Sequence, residues 1–137
     1  MKKLIALICI FVLSISCTKE FDGPRVHFEL LPVESVVLPT SFTVNTENEI
    51  EINYLKPTSC HGFDGFYYTK NASTRTIAIQ NYVIEEEEQG CFPLTNQLQT
   101  QVLRFKPTTA GTYLLKFWKG KDTNGVDIFE EISVDVQ

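Results

Sequence analysis

The side chains able to do acid–base, nucleophilic or metal chemistry in this chain are few, and their spacing suits none of the three. His27 and His61 are its two histidines, so a nucleophilic site would need one of them. His61 adjoins Cys60, but neighbours on an extended segment point to opposite sides, which parts a thiol from its base. No Gly-x-Ser-x-Gly elbow occurs. The roles of a triad cannot be filled, so no catalytic residue is assigned and an enzyme is not expected. Cys60, His61 and Cys91 lack the second ligand pair that zinc requires. Asp122-Thr123-Asn124-Gly125-Val126-Asp127 opens like a calcium loop, but Gly125 stands fourth instead of sixth and Ser133 takes the place of the bidentate glutamate. No metal or cofactor is expected. The run Glu85 to Glu88 reads as a solvated strand end that discourages edge pairing.

Aromatic residues carry the one hint of binding. Phe63, Tyr67 and Tyr68, with Phe66 among them, are interleaved with Gly62, Asp64 and Gly65 just after Cys60. Trp118 has the opposite parity to Tyr113 and Phe117, so it faces away from the side they bury. An exposed aromatic platform with polar neighbours suits sugar stacking or a protein partner. Phe63, Tyr67, Tyr68 and Trp118 are therefore the candidate binding surface. A glycan platform would need Trp118 and at least two of the other three on one exposed face, whereas alternation sends half of such a cluster inward. Asn71-Ala72-Ser73 matches a glycosylation sequon, which is read as incidental.

That leader is Met1-Lys2-Lys3, ten apolar residues from Leu4 to Leu13, then Ser14-Ile15-Ser16-Cys17. A positive start, a short apolar core and small residues before a cut describe a signal peptide over 1–16. Ten residues are too few to span a bilayer, which takes about 20. Cys17 directly after the cut resembles a bacterial lipobox, with Ser14 in the place of the usual leucine, and is the expected lipidation site. Acyl chains there, palmitate among them, would anchor the protein to a membrane. Residues 17–24 form a polar tether, in which Lys19-Glu20 and Asp22 resemble an outer-membrane export signal.

Cysteine parity agrees with this reading. Of four cysteines, Cys9 leaves with the leader and Cys17 carries lipid, so Cys60 and Cys91 remain as a disulfide pair in an oxidising compartment. Closing the loop between them contributes about 3.7 kcal/mol by chain entropy. Losing Lys2 and Lys3 leaves 10 basic against 17 acidic side chains, a net charge of -7 on 121 residues. That balance excludes a nucleic-acid footprint.

The elements that would hold these residues are strands. Ile50, Ile52 and Tyr54 alternate with polar groups, as do Leu103 and Phe105, then Tyr113, Leu115 and Phe117. Ile77 with Ile79, the segments Val26 to Leu30 and Phe66 to Tyr68, and a last strand from Ile132 to Val136 complete the set. Prolines fall between them, and Asn124-Gly125 turns the chain into the last strand. Residues 25–137 are thus expected to form one all-β domain, an antiparallel immunoglobulin-like β-sandwich of about seven to nine strands. Tyr113 stands where a tyrosine corner bonds backbone across the turn before its strand.

Together the leader, Ser73-Thr74-Arg75-Thr76-Ile77-Ala78, and Ala110-Gly111-Thr112-Tyr113 running to Phe117-Trp118-Lys119-Gly120-Lys121 resemble small lipoproteins of gram-negative bacteria that carry a single immunoglobulin-like sandwich. The resemblance implies a fold and a lipid-anchored place in the cell envelope, at the outer membrane. That group has no assigned activity to carry over. The expected function is a non-enzymatic binding or accessory module for a protein or glycan partner. The alternative is an inhibitory domain that blocks a partner enzyme with the 120–127 hairpin.

Overall fold

The computed structural model describes Gly23, residues 25–85 and residues 90–137. The expected signal peptide, Cys17, nearly all of the expected tether, and residues 86–89 lie outside the described residues. Eight strands form: β1 Arg25–Leu31, β2 Ser35–Val37, β3 Asn48–Leu55, β4 His61–Asn71, β5 Thr74–Glu85, β6 Leu98–Phe105, β7 Gly111–Lys121 and β8 Asp127–Val136. They make an all-β sandwich of two sheets, one with β1, β4, β5, β7 and β8, the other in the order β2-β3-β6.

Alternation builds the core. Ile50, Ile52 and Tyr54 of β3, with Leu103 and Phe105 of β6, face Ile77, Ile79, Tyr113, Leu115, Phe117 and Val134 of the larger sheet. Phe105 makes edge-to-face contacts with Phe42 at 5.9 Å and Tyr113 at 5.4 Å, favoured ring geometries for a dry interior. Tyr113 is buried, and its hydroxyl donates to the Thr109 carbonyl across the turn at 3.1 Å. The Arg75 guanidinium covers the same ring from 4.9 Å and donates to the Ala72 and Thr74 carbonyls.

Besides an isolated bridge between Phe42 and Val136, one strand pairing among the described residues is parallel, and it shapes the outer surface. β5 pairs β4 along one edge, while two strands share its other edge in succession. Thr74–Ile77 pair in parallel with Leu114–Phe117 of β7, and Ile79–Glu85 pair antiparallel with Leu31–Arg25 of β1. Ala78 lies where one neighbour gives way to the other. β7 veers off at an irregularity between Trp118 and Gly120, and the Val33 amide donates to the Trp118 carbonyl at 2.9 Å. The larger sheet therefore forks at Ala78.

Cys60 and Cys91 form a disulfide with Cα atoms 5.4 Å apart. Cys60 lies on the passage from β3 to β4 and Cys91 on that from β5 to β6, so the bridge ties together two crossings between the sheets.

Candidate functional site

The fork opens a cleft on the outer face of the larger sheet. Ala78 and Thr76 of β5 form its floor, Tyr67 of β4 one wall, and Leu30 of β1 with Trp118 of β7 and Phe129 of β8 the other. Each residue points outward by strand parity, since its neighbours Ile77, Ile79, Leu31 and Phe117 point into the core. Ala78 is only 1% exposed although it faces outward, because its neighbours rise around a side chain too small to fill the space between them. The cleft encloses about 370 Å³, within the range of small-ligand sites. A second hollow of about 340 Å³ adjoins it, sharing Leu30 and Tyr67 and adding Phe28, Gln80 and Glu29, whose carboxylate is bonded to His61. Phe28 is 59% exposed and Tyr67 42%.

The tryptophan wall is held by charge. The Trp118 indole Nε1 donates to Asp127 Oδ1 at 2.9 Å, and Lys121 Nζ donates to the same oxygen at 2.8 Å. The Lys121 hydrogen bond, and then that of Trp118, hold the Asp127 carboxyl below its ordinary value. Beside them Lys116 pairs with Glu131 at 2.8 Å and sits 4.7 Å above the Phe129 ring. Each cation on this wall thus has an anion beside it.

The four aromatic residues singled out by the sequence part company here. Tyr67 and Trp118 face the cleft, whereas Phe63 and Tyr68 pack against the core. Tyr68 parts from its neighbour Tyr67 by ordinary alternation, and Phe63 by the irregularity between Phe63 and Gly65, where Asp64 has no rung of its own and inverts the parity of β4. Phe63 therefore contacts Tyr54 and Phe66, at 6.4 and 5.2 Å between ring centres. Burial pushes the Tyr68 phenol above its ordinary value, against the pull of the Arg75 guanidinium. The four do not form one platform, so the glycan platform expected of Trp118 with two of Phe63, Tyr67 and Tyr68 is not met. Phe129, Leu30 and Ala78 complete the surface instead; Ala78 carried no signal, because its role depends on which strands flank it.

Both histidines lie on one rung, each paired with Val83. His61 is buried, with its Nδ1 bonded to Thr58 Oγ1 at 2.7 Å and its Nε2 to Glu29 Oε1 at 2.5 Å. Thr58 Oγ1 also accepts the Cys60 amide at 3.2 Å. These contacts fasten the loop before β4 to β1, next to the disulfide, in a way that the sequence distance between Glu29 and His61 concealed. Among the described residues no group of three or more His, Cys, Asp or Glu side chains could hold a metal ion. In the last hairpin the Asp122 carboxylate accepts the amides of Asn124 and Val126 at 2.8 and 2.9 Å, bonds that hold its carboxyl below the ordinary value. No family model, curated protein or solved structure matches the chain.

Proposed function

We propose that the chain is a lipid-anchored, non-enzymatic binding module of the cell envelope, secured by acylation of Cys17 and meeting its ligand at the fork of the larger sheet. The observation that carries the binding part is the preformed cleft between Tyr67 and Trp118, concave, apolar at its base and polar at its rim, as binding sites are. The anchoring part rests on the leader and on the cysteine count. A disulfide between Cys60 and Cys91 suits an oxidising compartment outside the cytoplasm. The likeness to gram-negative lipoproteins supports an outer-membrane location.

In-cell photocrosslinking tests the binding part. A photoreactive residue at Tyr67 of the full chain should give adducts that vanish with Trp118→Ala and are missing when the probe sits at Thr100 on the other sheet. Equal adducts at both positions, or none at Tyr67, would overturn it. Mass spectrometry of the mature protein should find an acylated Cys17; a free amine and an unmodified thiol would refute anchoring.

The exposed, internally bonded hairpin favours a second reading, in which it enters a partner enzyme's cleft. Inhibition that survives replacement of Asn124 and Gly125 would remove that reading.

A further inference from the structure

We infer that the ligand of the fork is a neutral oligosaccharide, lying with one pyranose ring in the cleft over Ala78 and the next in the adjoining hollow beyond Tyr67. This deepens the reading of the cleft as a binding site and rests on it. A pyranose ring is amphipathic: its C–H face lies flat on aromatic carbon while its hydroxyls project from the edge. The cleft has both features. Trp118, Phe129 and Tyr67 present aromatic surface, while Thr76, Lys121 and Asp127 bring hydroxyl, ammonium and carboxylate groups to the same walls. A wholly apolar ligand, such as an acyl chain, would strip water from the Thr76 hydroxyl and from the Lys121–Asp127 pair and return no hydrogen bond in its place, which is costly.

Charge narrows the class. Lys121 is matched by Asp127 and Lys116 by Glu131, so the wall offers no net charge to an ionic ligand. The net charge of -7 expected for the mature chain repels polyanions, which removes nucleic acid and phosphate-rich polymers. Shape narrows it further. Two hollows joined at Tyr67 and Leu30 suit a ligand of repeating units, with Tyr67 between consecutive rings. A folded protein partner needs a broad interface of roughly 800 Å² per side and makes no special use of a small concave floor.

The chain reports on its own site, because Trp118 is its one tryptophan. The mature, detergent-solubilised protein is titrated with neutral hexopyranose monosaccharides and with their α- and β-linked oligosaccharides of two to four units, and its tryptophan emission is followed. At least one series should shift the emission to shorter wavelength, bind more tightly with each added unit up to two, and be indifferent to salt. Tyr67→Ala should weaken that binding at least tenfold, and so should Ala78→Leu, which fills the floor while facing away from the core. Circular dichroism of both variants checks that the sheets persist. No shift with any saccharide, or binding that ignores Ala78→Leu, would overturn the assignment. If Trp118-dependent adducts form at Tyr67 in cells while every saccharide fails, the glycan falls and the binding module stands. If both fail, both fall.

Discussion

Asp127 illustrates how one exposed carboxylate can set a binding surface. It receives the indole N–H of Trp118 and the ammonium of Lys121 on a single oxygen, fixing the plane of the ring that walls the cleft. A carboxyl whose folded value is depressed contributes above its unfolded value, and the contribution disappears as pH falls through the lowered one. Emission from Trp118 should therefore stay constant from pH 7 down to about 4, where a free aspartate titrates, and change only below that. Asp127→Ala should show the altered emission already at pH 7; an unchanged spectrum would mean that the carboxylate does not position the indole. A second residue makes the opposite case. Asn81 is completely buried with the Tyr54 hydroxyl beside it, and neither atom of its amide makes a hydrogen bond of ordinary geometry among the described residues. Replacing it with leucine removes two desolvated polar atoms, so stability in urea should rise by about 1–3 kcal/mol. A loss of comparable size would show that the amide is bonded in solution.

At the scale of the element, β4 departs furthest from its sequence. Gly62 faces outward under the Tyr82 ring, and a Cβ there would lie 2.1 Å from Tyr82 Cζ and 2.3 Å from its hydroxyl oxygen. Gly62→Ala must therefore displace Tyr82 from β4, at a cost of about 1–3 kcal/mol. In a Tyr82→Ala background the same substitution should cost far less, and additive costs in this double-mutant cycle would show that the ring is not the obstacle. The same strand marks the limit of what was legible. Period-two alternation in β3, β6 and β7 identified Ile50, Leu103 and Phe117 as core because those strands run regularly where it was read. β4 cannot be read so, since the parity shift at Asp64 is a pairing event and leaves only glycines and an acid as its trace. Of the proposed surface, Trp118 was legible from local parity, and Tyr67 only as one of an aromatic cluster that the sequence did not sort by face. Leu30 and Phe129 were not: they meet only because β1 and β7 share one edge of β5, a non-local arrangement that no local pattern encodes.

Across the whole molecule the fork and the staple are separate devices. Near Cys60 and Cys91 the two crossings between sheets run side by side: the Ser59 amide donates to the Phe92 carbonyl at 2.9 Å and the Leu94 amide to the Pro57 carbonyl at 2.8 Å. The bridge fixes an arrangement that backbone hydrogen bonds already favour, so its main effect falls on the unfolded chain. For a sequence separation of 31, chain entropy gives about 3.7 kcal/mol as the loss on replacing both cysteines with alanine. The melting temperature should drop by roughly 10–20 °C. Ile84, whose amide donates to the Cys60 carbonyl, is six residues from Ala78, about 20 Å along an extended strand. Below its melting temperature the double variant should therefore keep native Trp118 emission and unaltered ligand binding. If the emission changes at full foldedness, the staple also shapes the fork. If only the melting temperature moves, the two ends of the sandwich divide the work, one holding the domain together and the other shaping the cleft.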